Sequence, residues 1–441
     1  MYISMVDDFF WISIFFGIAI LLKRFIPALQ KFVIPNSILA GFIGFLMGPN
    51  LLHLIDLDID GLGRIIYHLM AIGFIALALR NVESRGKYGK AGFIIVSTYL
   101  FQGILGVSIA SLFYLFDKKT PIPIGYIVPL GFGQGPGQAF SIGSQWQLLG
   151  LHNGSAVGLA IAAAGFGWAT IGGLIILNIL LAKWKKDKSK VVVHKKELVV
   201  KDYEFSDMDG LTIQFVLIGV VYAITYFLIK MLTEYLNTLG NIGHTFGTVL
   251  WGFHFVFGAI VAMIFRSVYV KLREKNIAKE NYINNFLLQR ISGAVFDFMV
   301  AASISAVSLA RIREYFWPIF FITLTAGILT YFYVMLLTKK VIVKNEVENR
   351  IAFFGMLTGT ISTAMALLRE VDPALETGAA ENLIFGSGIS LMIGFPLIAI
   401  LNLPALYLTS GKIIYNFYGL GLMIAYNFLL FFIFFRKPKN A

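Results

Sequence analysis

The stretch Pro129-Leu-Gly-Phe-Gly-Gln-Gly-Pro-Gly-Gln-Ala139 packs four glycines and two prolines into eleven residues. A continuous helix does not survive such a run. Proline removes a backbone donor, and glycine loses the most freedom on ordering. Yet the stretch sits inside an apolar segment, 122–142, of transmembrane length. A second interrupted segment, 351–368, holds Gly355-Met-Leu-Thr-Gly-Thr-Ile-Ser-Thr-Ala364. Irregular backbone at membrane depth is tolerated only where protein buries it or a cavity hydrates it. Both stretches therefore point to a membrane protein with two broken elements.

Composition leads to the same class. The 441 residues are 58% hydrophobic and 14% charged, with a mean hydropathy of +0.79. A soluble domain carries about 25% charged residues. A water-soluble domain, disorder, collagen and a disulfide scaffold are excluded. A β-barrel needs short alternating segments, whereas the runs here are long and continuous. The expectation is an all-α polytopic membrane protein with the lipid bilayer as its solvent. With no cysteine, a thiolate metal site and a catalytic thiol are excluded too. The net charge of +12 falls in short loops between apolar runs. Positive-inside bias explains it, and no basic patch with interleaved aromatics argues for nucleic acid.

The first half has apolar runs at 9–22, 32–52, 65–79, 91–116, 122–142 and 155–182. The second has them at 211–236, 245–265, 291–310, 315–337, 351–368, 383–408 and 413–435. The first run follows Asp7 and Asp8 and lacks a cleavage pattern, so it reads as a retained span. Lys23 and Arg24 then snorkel from its end.

Loop charges set the topology. Lys23, Arg24 and Lys31 follow the first run; Asp56, Asp58 and Asp60 the second; Arg80, Arg85, Lys87 and Lys90 the third. The N-terminus then lies outside and the fourth run ends outside near Asp117. The lysine-rich linker, 183–210, must be cytoplasmic. Parity fails unless one segment enters and leaves by the same face, and the glycine–proline tract is that segment. In the second half, Lys339, Lys340, Lys344 and Arg350 precede 351–368, and the tail carries Arg436, Lys437 and Lys439. The tail ends inside only if 351–368 is also re-entrant.

The organisation expected is thus 1–182 as a first five-helix repeat with a re-entrant hairpin near 129–145, and 183–210 as linker. An inverted second repeat, 211–409, has its hairpin near 351–368; 410–441 adds one helix and a basic tail. The segment Leu69 to Arg80 is weakly similar to Phe298 to Arg311, in keeping with an internal repeat.

Two opposed broken segments in matching places of two halves mark a transport site. Half-helix N-termini suit an anion, and unwound carbonyls and hydroxyls suit Na⁺. The substrate candidates are Gly133, Gln134, Gly135, Gly137, Gln138 and Ser141 in the first hairpin, Ser362 and Thr363 in the second, and Arg369 just beyond it. The Na⁺ candidates are Thr358, Gly359, Thr360 and Asp297. Close helix packing is the plainer reading of such glycines; it suits Gly165, Gly167, Gly172 and Gly173 better than a tract with proline and amides. Asp297 reads as a cation ligand or proton acceptor, or as a paired residue reachable by Arg290. Arg369 reads as a fork for a carboxylate, or as an ion pair with Glu370 or Asp372. Ser303, Ser305 and Ser308 face either the site or a helix seam. His68 and His254 read as packing.

Four functions compete: a secondary transporter, a cation:proton antiporter using Asp297, a membrane-embedded enzyme and a passive channel. No HExxH, GxSxG, Walker or zinc-type spacing supports the enzyme. No cofactor is called for beyond a coupling ion.

Three stretches carry a family likeness: Val33-Ile-Pro-Asn-Ser-Ile-Leu-Ala-Gly-Phe-Ile-Gly44, the tract from Gly131 through Gln138-Ala139, and Gly165-Phe-Gly-Trp-Ala-Thr-Ile-Gly-Gly173. The chain resembles the bacterial glutamate:sodium symporters over most of its length. That resemblance implies a multi-pass inner-membrane homodimer working as an elevator, with sodium-coupled uptake of glutamate or a related anionic acid. The citrate:sodium carriers look similar in architecture. The chain departs from the pattern in its second hairpin, which reads Thr358-Gly-Thr-Ile-Ser-Thr363, in Asp297 and in the extra C-terminal span.

Overall fold

The computed structural model describes residues 2–26, 34–80, 88–179, 208–277, 282–372 and 375–435. The linker lysines from 183 through 207, Lys31, Arg85, Lys87, Lys279 and the tail from 436 lie outside them. Among the described residues there is no strand. Eight helices among the described residues are long and apolar enough to cross a membrane, or up to nine if one bent pair is a single span. The protein is an all-α, polytopic helix bundle.

The first half contains α1 (Tyr2–Phe25), α2 (Asn36–Met47), α3 (Ile59–Leu79) and α4 (Gly89–Phe116). An irregular arm over Ile122–Ile127 and Pro129–Gln134 follows, then α5 (Pro136–Leu148) and α6 (Gly154–Ile179). The second half contains α7 (Met208–Asn237), α8 (Gly240–Gly252), α9 (His254–Glu274), α10 (Asn285–Ser305) and α11 (Phe316–Val341). Then come α12 (Glu346–Thr358), α13 (Ile361–Leu368), α14 (Ala379–Ile393), α15 (Phe395–Ser410) and α16 (Ile414–Phe435).

Burial follows from composition. α4 is apolar all round, and 72% of its most apolar window is buried; such a helix belongs inside a bundle. It packs on α11, α14, α16 and the irregular arm. α7 and α16 are as apolar but bury only 22% and 17%. Their outward Phe227, Met231 and Phe428 suit acyl chains rather than water.

Helix pairing relates the halves. α3 and α10 run antiparallel, with Phe296 against Gly73 and both Met70 and Met299 against Gly137. α2 packs parallel on α10, Ser37 meeting Asp297 and Gly44 meeting Ser305. α9 packs parallel on α3 in the same way, from His254 at Tyr67 to Arg266 at Ala78. α4 lies against the irregular arm, and α11 against α12.

Three expected spans look different. The run 32–52 yields only the 12-residue α2, about 18 Å of helix. Gly48-Pro-Asn50 stops it, and the chain beyond is tied down by Asn50 Nδ2 donating to the Val307 carbonyl at 2.6 Å. The run 245–265 is two helices that meet at Phe253. The run 383–408 bends by 53° between α14 and α15. There Pro396, two residues after Gly394, has no N–H to continue the ladder.

Small residues let the irregular arm seat on α4. A Cβ on Gly125 would lie 2.3 Å from the Gly106 carbonyl oxygen, and one on Gly106 would lie 2.2 Å from that of Gly125. Gly143 and Gly154 repeat this between α5 and α6. Backbone cannot yield as a side chain can. Gly125→Ala is therefore expected to destabilise the bundle by about 1–3 kcal/mol. Gly293→Ala, whose Cβ meets nothing within 4 Å, is expected to gain up to about 1 kcal/mol. Thermal unfolding of the purified pair in one detergent measures both.

Candidate functional site

The irregular arm runs antiparallel to α4, from Gly125 beside Gly106 to Gly133 beside Tyr99 and Gln102. The chain breaks at Gly135, with φ 104° and ψ 174°. That region is open essentially to glycine alone. α5 then returns toward the end of α3 that carries Asp60, Gly137 lying against Met70 and Phe140 against Gly63. In the second half, α12 ends at Thr358 and α13 begins at Ile361. Thr360 caps α13, its hydroxyl accepting from the Thr363 amide at 3.4 Å. The two breaks meet: a Cβ on Gly135 would lie 3.9 Å from Thr360 Cγ2.

A cavity of about 130 Å³ opens at this junction. Gly133, Gln134, Gln138, Gly359, Thr360 and Ser362, all named as candidates from the sequence, line it. Gly135 and Gly137 form the turn behind them. The remaining wall comes from α3, α4, α9, α10, α12, α14 and α15 and is mostly apolar, with Tyr99, Ser387 and Ser390 as polar exceptions. Helix first turns carry unsatisfied N–H groups and partial positive charge. Those of α5 and α13 both face the cavity.

The other candidates are placed differently. Ser141 is fully buried, and its hydroxyl donates to the Gly252 carbonyl at 3.0 Å, tying α5 to the α8–α9 junction. The Thr358 hydroxyl donates to the Phe354 carbonyl within its own helix at 2.7 Å. The Thr363 hydroxyl shares a hydrogen bond with that of Thr360 at 3.2 Å. Arg369 is exposed at the far end of α13, away from the cavity wall. Asp372 instead accepts from the Glu376 and Thr377 amides at 3.0 and 3.1 Å. Ser303 and Ser305 serve helix seams, through the Met299 and Gly41 carbonyls. Ser308 caps the turn at Arg311. His68 bonds the Tyr222 hydroxyl at 2.7 Å. His254 sits between the Tyr67 and Trp251 carbonyls at 2.9 and 3.0 Å.

Asp297 lies one step behind the wall. It accepts from the Ser37 hydroxyl at 3.1 Å and from the Ser362 hydroxyl. A single carboxylate thus joins α2, α10 and the first turn of α13. Among the described residues, no group of three or more His, Cys, Asp or Glu is arranged to hold a metal ion. An ion there would draw on hydroxyls and carbonyls around this one carboxylate.

Sequence reading passed over Gln102. Its Nε2 donates to the Leu357 carbonyl at 2.7 Å and the Thr330 hydroxyl at 3.3 Å. Its Oε1 faces Gly133. One amide on α4 therefore touches both broken elements. A glutamine in the middle of a 28-residue apolar helix was the available signal. No protein-family model matches this chain, and no curated protein matches it.

Proposed function

We propose that the protein is a secondary active transporter that carries a small carboxylate-bearing solute through alternating access. The observation that carries the reading is the junction of Gly135 with Thr360, where two broken helices from the two halves meet at one cavity. Facing half-helix ends at mid-span are how transporters bind a charged solute without burying a fixed countercharge. The exchange of partners between halves supports an inverted repeat: α2 on α10 matches α9 on α3, and the irregular arm on α4 matches α12 on α11. The return of α5 beside Gly63 supports a first hairpin that enters and leaves by one face.

The coupling ion in this reading is Na⁺, held near Asp297 by hard oxygens. The likeness to glutamate:sodium symporters supports this and brings with it an elevator motion in a homodimer, the N-terminus outside and the C-terminus cytoplasmic. Uptake of a labelled amino and carboxylic acid panel into proteoliposomes, with and without an inward sodium gradient, tests the proposal. Sodium-driven accumulation of any member is expected. Sodium-independent passive flux would replace the carrier with a channel, and chemical conversion of the solute would replace it with an enzyme. A second reading, cation:proton antiport, is favoured by one observation: Asp297 is the carboxylate bonded to the second break.

A further inference from the structure

The wall of the cavity selects among carboxylates. Besides the Tyr99, Gln134, Thr360 and Ser362 side chains, its polar atoms include backbone donors and side-chain acceptors. The donors are first-turn amides without an acceptor in their helices: those of Gly137 and Gln138 in α5, where Pro136 has no N–H, and those of Ile361 and Ser362 in α13, where Thr360 takes the Thr363 amide. Three side chains on the same wall offer acceptors, Gln138 on α5 itself and Ser387 and Ser390 on α14. The Ser387 and Ser390 hydroxyls spend their protons on the Ile384 and Ser387 carbonyls, at 2.9 and 2.7 Å. Their lone pairs remain for a donor. Gln138 is 1% exposed, and its Oε1 has no hydrogen-bond partner. A buried acceptor without a partner is costly, and a bound donor relieves that cost.

No Asp, Glu, Lys or Arg stands among the described residues of the wall. Apolar side chains prevail instead, among them Phe74, Phe253, Phe255, Phe296 and Phe395. A carboxylate pressed on this surface would be desolvated with nothing to pair it. The volume of about 130 Å³ is close to that of a cavity of about 150 Å³ that takes one benzene-sized ring, so the cavity takes a single small solute.

From these observations we infer that the solute is a zwitterionic α-amino acid with an apolar side chain, not a di- or tricarboxylate. Its carboxylate meets the paired helix N-termini, its ammonium meets Gln138 and the two serines, and its side chain lies on the phenylalanines. This rests on the transport reading above and narrows its substrate from the glutamate that the family likeness implies.

The test is competition for labelled L-leucine bound to the purified full-length protein in nanodiscs with sodium present. Unlabelled leucine or phenylalanine is expected to displace it more than about tenfold better than L-glutamate. 4-Methylpentanoate, which lacks only the ammonium, and 3-methylbutylamine, which lacks only the carboxylate, should each fall by about tenfold or more. Gln138→Leu should narrow the gap between leucine and 4-methylpentanoate. The wild-type analogue series decides the matter even if that variant does not fold. Displacement by glutamate equal to that by leucine overturns the inference, as does equal displacement by the analogue without the ammonium. If the proteoliposome panel shows accumulation of glutamate or citrate and of no apolar amino acid, the inference falls and the transporter stands. If no solute is accumulated, both fall.

Discussion

Gly135→Ala is expected to abolish solute accumulation while the bundle stays folded. The backbone at this position has φ 104° and ψ 174°, which a Cβ penalises by about 1–3 kcal/mol. Space is not the obstacle, since the nearest atoms to an added Cβ are 3.8 and 3.9 Å away. The strain is conformational, and the chain relieves it by re-aiming the break. That break sets where the first turn of α5 points and how it meets Thr360. A displacement of about 1 Å at a site that works by orientation can cost about a hundredfold. The loss of stability, by contrast, is a small part of what holds a bundle of this size. Gly388→Ala is the control. It lies inside α14, beside the cavity-lining Ser387, with nothing within 4 Å of an added Cβ. It is expected to transport as wild type. Uptake and thermal unfolding, measured together, separate the two variants. Unchanged accumulation by Gly135→Ala would mean that the geometry of the first break plays no part in transport.

Why the breaks were legible in sequence and much of the cavity was not follows from where each is encoded. A break at Gly135 is local chemistry: glycine and proline at adjacent positions forbid a continuous helix whatever surrounds them. Gly359 and Thr360 have no proline beside them, and that break was legible from the loop charges that make 351–368 re-entrant. Asp297 announced itself because a carboxylate inside an apolar run is costly without a partner, although its partners, Ser37 and Ser362, are 260 and 65 residues away and were not foreseen. Gln102 and the serines of α14 sit in otherwise ordinary helices, and only tertiary packing turns them toward the breaks. Ser141, Thr358 and Arg369 show the opposite failure. They share a stretch with true lining residues, but helix rotation sends Ser141 and Thr358 into backbone contacts and leaves Arg369 exposed. Proximity in sequence within a hairpin says little about direction, because successive helical residues point about 100° apart. The short α2 and the bend at Gly394 were encoded locally too, by Gly48-Pro49 and by Pro396 after Gly394, and a reading of hydropathy alone passed over them. A hydropathy run measures how apolar a stretch is, and α2 stops at Gly48 inside one such run while α14 and α15 divide another.

Asp297→Asn is expected to uncouple the carrier. The substitution keeps an oxygen that can accept from the Ser37 and Ser362 hydroxyls, so the link between α2, α10 and α13 survives. What it removes is the negative charge. Among the described residues no group of three or more His, Cys, Asp or Glu is arranged to hold an ion, so a cation held here leans on the charge of Asp297. Accumulation driven by a gradient should therefore fall by about a hundredfold, the scale of losing a paired buried charge. Exchange of labelled for unlabelled solute across the membrane needs only the solute site, and it should persist. The two assays on one preparation thus split coupling from binding. Loss of both would place Asp297 in the structure of the site itself, and Asp297→Glu would then be expected to restore neither. The ion that is coupled is read from the same variant. In a sodium carrier the wild type depends on sodium and Asp297→Asn does not respond to it. In a proton-coupled or antiport mechanism the wild type responds to a pH gradient, and that response is what disappears. Driven accumulation at the wild-type level by Asp297→Asn would remove this carboxylate from the coupling mechanism. It would put the weight of solute binding on the half-helix termini.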